Sequence, residues 1–439
     1  MRIVTMTALA FALGLIASPG FAGPTTVIDP TAPPELTAKS APLDAYQEPR
    51  RRTAPQYEPA LPGQFRAPKP PSRIPIKVEV LTNQLTWPWA VVQMPDGRLL
   101  VTEKYGTLRI VDQGGRILPP IAGRPAINPA DANMFKGGGG LLDVILAPDF
   151  LRSNRIYLTF SEAAPGPSGT EARLAVGTGV LSPDRTALVG FKVVWRMDGT
   201  SPSHEHFGSR LAFDREGALF VTTGERAADH SGGEGMLVPR RDAQNPFNDM
   251  GKLIRIMPDG SIPRDNPFAD GKRGKPEVYA LGFRNSLGLG VQPSTGLVWT
   301  VEHGPTGGDE LNQPEPGKNY GWPTISYGRD HDNSPIEGGF TQKDGLEQPV
   351  YYWDPNPAPG AMIFYKGGLF PAWNGDILVA GLGSMRLHRL VLDGRHVAYE
   401  DWYPLKARVR DVTEAADGSL YIVTDEAKGQ LLHITPVAR

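Results

Sequence analysis

Hydrophobic residues in this chain fall into short runs, and the runs recur in one pattern. An apolar run is followed by a polar turn, often Asp-Gly, and then by a second run rich in β-branched and aromatic residues. Six copies appear: 90–102; 141–146 with 156–160; 210–214 with 218–223; 287–291 with 297–301; 362–365 with 376–380; and 409–412 with 417–424. Some carry a third run, as at 106–111 and 387–392. Short strands joined by tight turns at such intervals are the mark of propeller blades. Six units closing radially predict an all-β, six-bladed β-propeller over residues 76–439, a closure that protects sheet edges. Residues 76–81 and 431–434 are the natural pair to close the ring. The competing architecture is an array of β-sandwiches.

The first 75 residues do not share the pattern. Residues 1–22 carry Arg2, a short apolar stretch and a small-residue ending at Ala22, which reads as a cleaved secretory signal peptide. The stretch is shorter than the roughly 20 residues that span a bilayer. Residues 23–75 hold 13 prolines, the run Arg50-Arg51-Arg52 and few large aliphatics. Such a segment is expected to be an extended, partly polyproline arm or linker.

Composition narrows the chemistry. The chain has 439 residues, 40% hydrophobic and 21% charged, with a formal net charge of −2. That balance gives no electrostatic case for nucleic-acid binding. There is no cysteine, which removes disulfides, thiol nucleophiles and thiolate metal sites. Gly137–Gly140 does not fit a dinucleotide fingerprint, and neither a P-loop nor a G-x-S-x-G elbow is present.

Propeller topology brings together the residues before each inner strand and those after each second strand. His204, His206, Arg284, Asn285, Arg408 and Arg410 lie at such entries; Glu103, Glu225, Glu302, His303 and Asp425 lie at such exits. Arginines converging on a channel mouth predict an anionic ligand, unless each pairs with a neighbouring carboxylate. A histidine among carboxylates can serve as a general base, and the spacing of His204 and His206 also suits a metal. Gly304-Pro305 followed by Gly307-Gly308-Asp309-Glu310 is an acidic turn whose oxygens suit calcium.

In these stretches the sequence resembles the soluble quinoprotein glucose/sorbosone dehydrogenase family, nearest its periplasmic aldose sugar dehydrogenase branch. The matching pieces are 139–144, 206–211, 251–256, Arg284-Asn285, 302–305 with 307–312, 319–323 and 409–412. The resemblance implies a pyrroloquinoline quinone (PQQ) cofactor over the channel mouth, with calcium (Ca2+), and oxidation of an aldose at its anomeric carbon to a lactone. It implies that His206 is the base, with hydride passing to the quinone. Arg284 and Asn285 then lie at the quinone and substrate, and Arg408 and Arg410 hold the cofactor's carboxylates. The carbonyls of Gly304 and Pro305 ligate the calcium that polarises the quinone; Glu310 and Tyr320 belong to a second calcium site. Tyr352 and Trp353 fall near residues that line the sugar site. A small-molecule sugar is the implied substrate, the electron acceptor is unknown, and neither nucleic acid nor a membrane span is expected. Location would be periplasmic or secreted. The chain departs from the family at Gly138, where Gln is usual, at Gly383, where some members have Lys, and at Ser286-Leu287, where Pro-Gln is usual. A calcium-dependent lactonase and a non-catalytic binding propeller are the alternatives.

Overall fold

A computed structural model of the protein describes residues 24–28, 48, 50–129, 131, 138–226 and 240–438. The signal-peptide reading of residues 1–22 lies outside the described residues, as does most of 29–49. The six predicted units are six antiparallel sheets arranged as a ring. Their innermost strands are Pro88–Gln93, Leu141–Leu146, Gly208–Phe213, Ser286–Val291, Pro359–Phe364 and Val409–Glu414, here numbered blades 1 to 6. Blades 2 to 5 have four strands each and blade 1 has three.

Each blade is covered on both faces by its neighbours, so its inner two strands are buried in runs instead of alternating. The second strands Leu99–Glu103, Leu219–Thr223, Val298–Glu302, Ile377–Gly381 and Leu420–Thr424 are buried at every residue. Five of the six inner strands lose burial only at their last two residues. There the chain turns back, and Gly97 and Gly418 take positive φ values of 84° and 87° in two of the turns. A Cβ disfavours that conformation, which is why Asp-Gly recurs.

The ring closes as the pattern predicts. Ile76–Leu85 pairs with Gly429–Pro436, with Val78 opposite Ile434 and Val80 opposite Leu432. Thr25–Ile28 adds an outer strand to the same sheet. Residues 50–75 lie against blades 4 and 5. Gln64 carbonyl accepts the Tyr352 amide at 2.9 Å, Phe65 stacks on Tyr352 at 4.7 Å, and Arg73 meets Asp401 at 2.5 Å. Aromatic stacking and hydrogen bonds take the place of the aliphatic contacts the arm lacks.

One side chain joins all six blades. Arg210 of blade 3 lies in the channel, where Nε donates to the carbonyl of Leu287 at 2.7 Å and Nη2 to that of Gly360 at 2.6 Å. Its Nη1 sits 3.2 Å from Asp143 and 3.0 Å from Asp411, and its guanidinium lies 4.2 Å from the centre of the Trp89 ring. Asp143 and Asp411 also accept the amides of Leu211 and Val91, each at 2.8 Å.

Candidate active site

Beyond this hub the channel opens into a cup of about 1060 Å³. His206, Arg284, Asn285, Gly304, Pro305, Arg408 and Arg410 all line it. They come from the entries to blades 3, 4 and 6 and from the loop after the second strand of blade 4, the rim that strand direction predicts.

The loop bearing His206 is held from behind. Arg226 donates to the carbonyls of Ser203 and Glu205 and lies over the Phe207 ring. Gly224 permits the approach, since a Cβ there would sit 1.9 Å from the His206 carbonyl. His206 itself has φ +50°, a strained conformation of the kind that clusters at functional sites. Its Nδ1 is 2.9 Å from Glu225 Oε2, and the Glu225 side chain is fully buried. Burial pushes the Glu225 carboxyl up to about 8, against the pull of Arg284, Arg240 and Arg226. Imidazole geometry directs Nε2 away from Glu225. His204 instead points to Asp131, at 2.6 Å, so the two histidines have separate carboxylate partners.

Arg284 is buried, with Nη1 donating to the His303 carbonyl at 3.2 Å and its guanidinium 5.4 Å from the Trp322 ring centre. Its main-chain amide donates to Glu302 at 2.6 Å. Asn285 Oδ1 accepts the Gly208 amide at 3.0 Å, which ties blade 4 to the His206 loop. Arg408 and Arg410 share Asp425, at 3.2 and 2.9 Å. Arg408 is half exposed while Arg410 is one-tenth exposed. Burial, with Arg284 next, pushes the His303 imidazole down to about 3, so it is neutral throughout the physiological range.

One further cation lines the cup: Lys104, which follows the second-strand exit at Glu103. Burial lowers its pKa, assisted by Arg410. Gly138 and Leu287 line the cup too, whereas Gly383 does not. Arg386, the other cation near Gly383, turns to Glu48 at 3.1 Å. The cup therefore takes its ammonium from blade 1, and none from the blade 5 position.

Glu310 and Tyr320 lie behind the Gly304 turn, on a smaller cavity shared with Arg284 and Glu302. Asn312 Nδ2 donates to both Glu302 and Glu310, at 3.0 and 3.2 Å. Burial raises both carboxyls and pushes the neighbouring Asp309 up to about 8. Among the described residues no three His, Asp or Glu side chains converge as a metal cage; a cation at this turn would draw on main-chain carbonyls. Tyr320 is occupied in packing, stacked on Phe283 at 5.0 Å with its hydroxyl donating to the Gln313 carbonyl.

Tyr352 and Trp353 do not join the cup. The Tyr352 ring is sandwiched between Phe65 and Tyr327, and Trp353 Nε1 donates to Glu400 at 2.9 Å. Both side chains are buried and border a separate small pocket with Phe65, Arg386 and Trp402.

Comparison with known proteins follows the same lines. The family model described as Glucose / Sorbosone dehydrogenase matches residues 85–433. The aldose sugar dehydrogenase YliI of Escherichia coli is 38% identical over 367 residues, 82% of this chain and 93% of that one. A crystal structure of the soluble aldose sugar dehydrogenase of Escherichia coli, in the apo-form, superposes with a TM-score of 0.75 at 38% identity. It covers 82% of this chain and 100% of its own. A PQQ-bound aldose sugar dehydrogenase from Streptomyces coelicolor gives a TM-score of 0.64 at 27% identity, over 83% and 99% of the two chains.

Proposed function

The chain belongs to the glucose/sorbosone dehydrogenase family and is a sugar dehydrogenase; from that premise we propose that it uses PQQ and calcium to oxidise an aldose at its anomeric carbon to the lactone. PQQ is a tricarboxylate; Arg284, Arg408, Arg410 and Lys104 line the cup beside Glu205, Asp309, Asp425 and Glu426, and the carboxylates of PQQ would share Arg408 and Arg410 with Asp425. Nε of Arg284 and of Arg410 is buried without a protein acceptor. Arg408 and Arg410 would bind the carboxylates, and the carbonyls of Gly304 and Pro305 would hold the calcium. When bound, the quinone supplies a two-electron acceptor and calcium a Lewis acid.

The chain's own residues supply the proton chemistry. An ionised Glu225, 2.9 Å from Nδ1 of His206, favours the tautomer that carries its proton on Nδ1 and leaves Nε2 as acceptor. Nε2 takes the proton of the anomeric hydroxyl, and Glu225 stabilises the imidazolium that results. Asn285 keeps the His206 loop and blade 4 in register. What carries this reading is the imidazole–carboxylate pair at a cup that three arginines and a lysine line.

The proposed division of the chain is a leader over 1–22, an arm over 23–75 and the propeller over 76–439, with export to the periplasm or medium. Among the described residues no helix is long and apolar enough to cross a membrane. The test is His206→Ala: sugar-dependent dye reduction is lost while PQQ still binds, as followed by quinone absorbance. Unchanged turnover overturns the base assignment. Lactone cleavage by the protein without PQQ would replace the dehydrogenase reading with a hydrolase.

A further inference from the structure

The arm precedes the family match, which begins at residue 85, and the apo Escherichia coli structure is covered over its whole length by 82% of this chain. Ring closure uses Ile76–Leu85, so residues 50–67 are not needed for it. They are nonetheless held tightly at one place beside the cup.

Thr53 donates from its amide and its hydroxyl to Asp354 Oδ1, at 2.6 and 2.5 Å. The Ala54 amide donates to Asp354 Oδ2 at 3.0 Å. The Asp354 side chain has no exposure. Two residues further on, Asn356 Nδ2 donates to the Pro305 carbonyl at 2.7 Å, and its Oδ1 accepts the Asp309 amide at 3.2 Å. The Asp309 carboxylate closes the circuit by accepting the amides of Gly304 and Ala358, at 2.8 and 2.7 Å. A second line reaches the same turn from its other side. Arg329 donates to the Thr53 carbonyl, and its backbone pairs with Thr306 in both directions, at 2.8 and 2.9 Å.

We propose that residues 50–67 are a strap that sets the Gly304–Pro305 turn of the cup, with Asp354 and Asn356 as the positioning residues that transmit its grip. The turn carries Gly304, Gly307 and Gly308, and such a segment has much backbone freedom to lose on ordering. Fixing it during folding removes that cost from ligand binding. The Asn356 bond occupies one lone pair of the Pro305 carbonyl, and a carbonyl has two. The consequence for cation binding rests on the cofactor reading above; the positioning itself does not.

The experiment uses full-length protein and three variants. Asp354→Asn and Asn356→Ala cut the strap's line to the turn. Arg73→Ala loosens the arm at its Asp401 anchor on blade 5 and serves as control. Hydrogen–deuterium exchange of residues 303–309 is expected to quicken at least tenfold in the first two variants and to stay at the wild-type rate in Arg73→Ala. Calcium is then titrated at fixed PQQ, following quinone absorbance. Half-saturating calcium is expected to rise about tenfold in Asp354→Asn and Asn356→Ala only, with sugar KM unmoved. Unchanged exchange in both strap variants, or an equal change in Arg73→Ala, overturns the strap. Quickened exchange in a protein whose wild type shows no absorbance response upholds the strap and overturns the cofactor reading instead.

Discussion

Replacing Arg210 by methionine removes a side chain that touches every blade. Methionine keeps much of the volume and none of the donors. Asp143 and Asp411, both buried, then share a dry channel without their cation. Removing one partner of a buried ion pair costs about 3–5 kcal/mol. Unfolding entropy of about 2.1 cal/mol/K per residue across the propeller converts this to a Tm loss of about 4–7 °C. The loss also has a predictable pH dependence. Burial already raises Asp143 and holds Asp411 at about 6 in the presence of Arg210; without the cation both move higher. A carboxyl whose folded pKa exceeds its unfolded value binds more protons when folded. It therefore weakens the fold at high pH, and the penalty shrinks as pH falls from the folded pKa towards the unfolded one. Scanning calorimetry of Arg210→Met is expected to show the full deficit at pH 8 and a smaller one near pH 5. A Tm within 1 °C of wild type at pH 8, or the same deficit at both pH values, would refute the hub.

Further outcomes follow from the cup. Because Glu225 sits near 8 and its ionised form is the one that leaves Nε2 as base, turnover should rise with pH through about 8. Glu225→Gln should flatten that rise and lower kcat by a factor on the order of 10², as read from kcat–pH profiles. Arg410→Ala should weaken PQQ binding roughly 10- to 150-fold, the range for losing a charge-assisted hydrogen bond. Arg408→Ala, at a solvent-screened guanidinium, should cost only a few-fold; fluorescence titration separates the two. His303, neutral above about 3, contributes no limb to the profile, so His303→Gln should leave its apparent pKa values in place.

Legibility in the sequence followed the range of the interactions. The six hairpins could be read because each is local and each buries both faces, leaving uninterrupted apolar runs such as Leu99–Val101 and Leu420–Val423. The grouping of His206, Arg284, Arg408 and Arg410 followed from strand direction alone, since residues at equivalent entries must share a rim. Lys104 fell one residue past a position the same rule selects. The fates of Tyr352 and Trp353 were not legible, because they depend on the arm and on blade 5 strands far away in sequence. Phe65, which covers Tyr352, belongs to a segment that reads as an extended linker or wall-hugging arm; where it docks depends on partners on blades 4 and 5, and no local pattern announces them.

The pairing of Ile76–Leu85 with Gly429–Pro436 has a temporal consequence. Synthesis delivers one strand of that pair before the other five blades and its partner after them. The early strand must wait with an unpaired edge until the C-terminal residues emerge, and an unpaired edge invites wrong partners. Loop closure over such a span makes this step late and slow. Nicks or truncations near the C-terminus should therefore unlatch a finished ring, while equal losses at the tips of the Asp-Gly turns leave it shut.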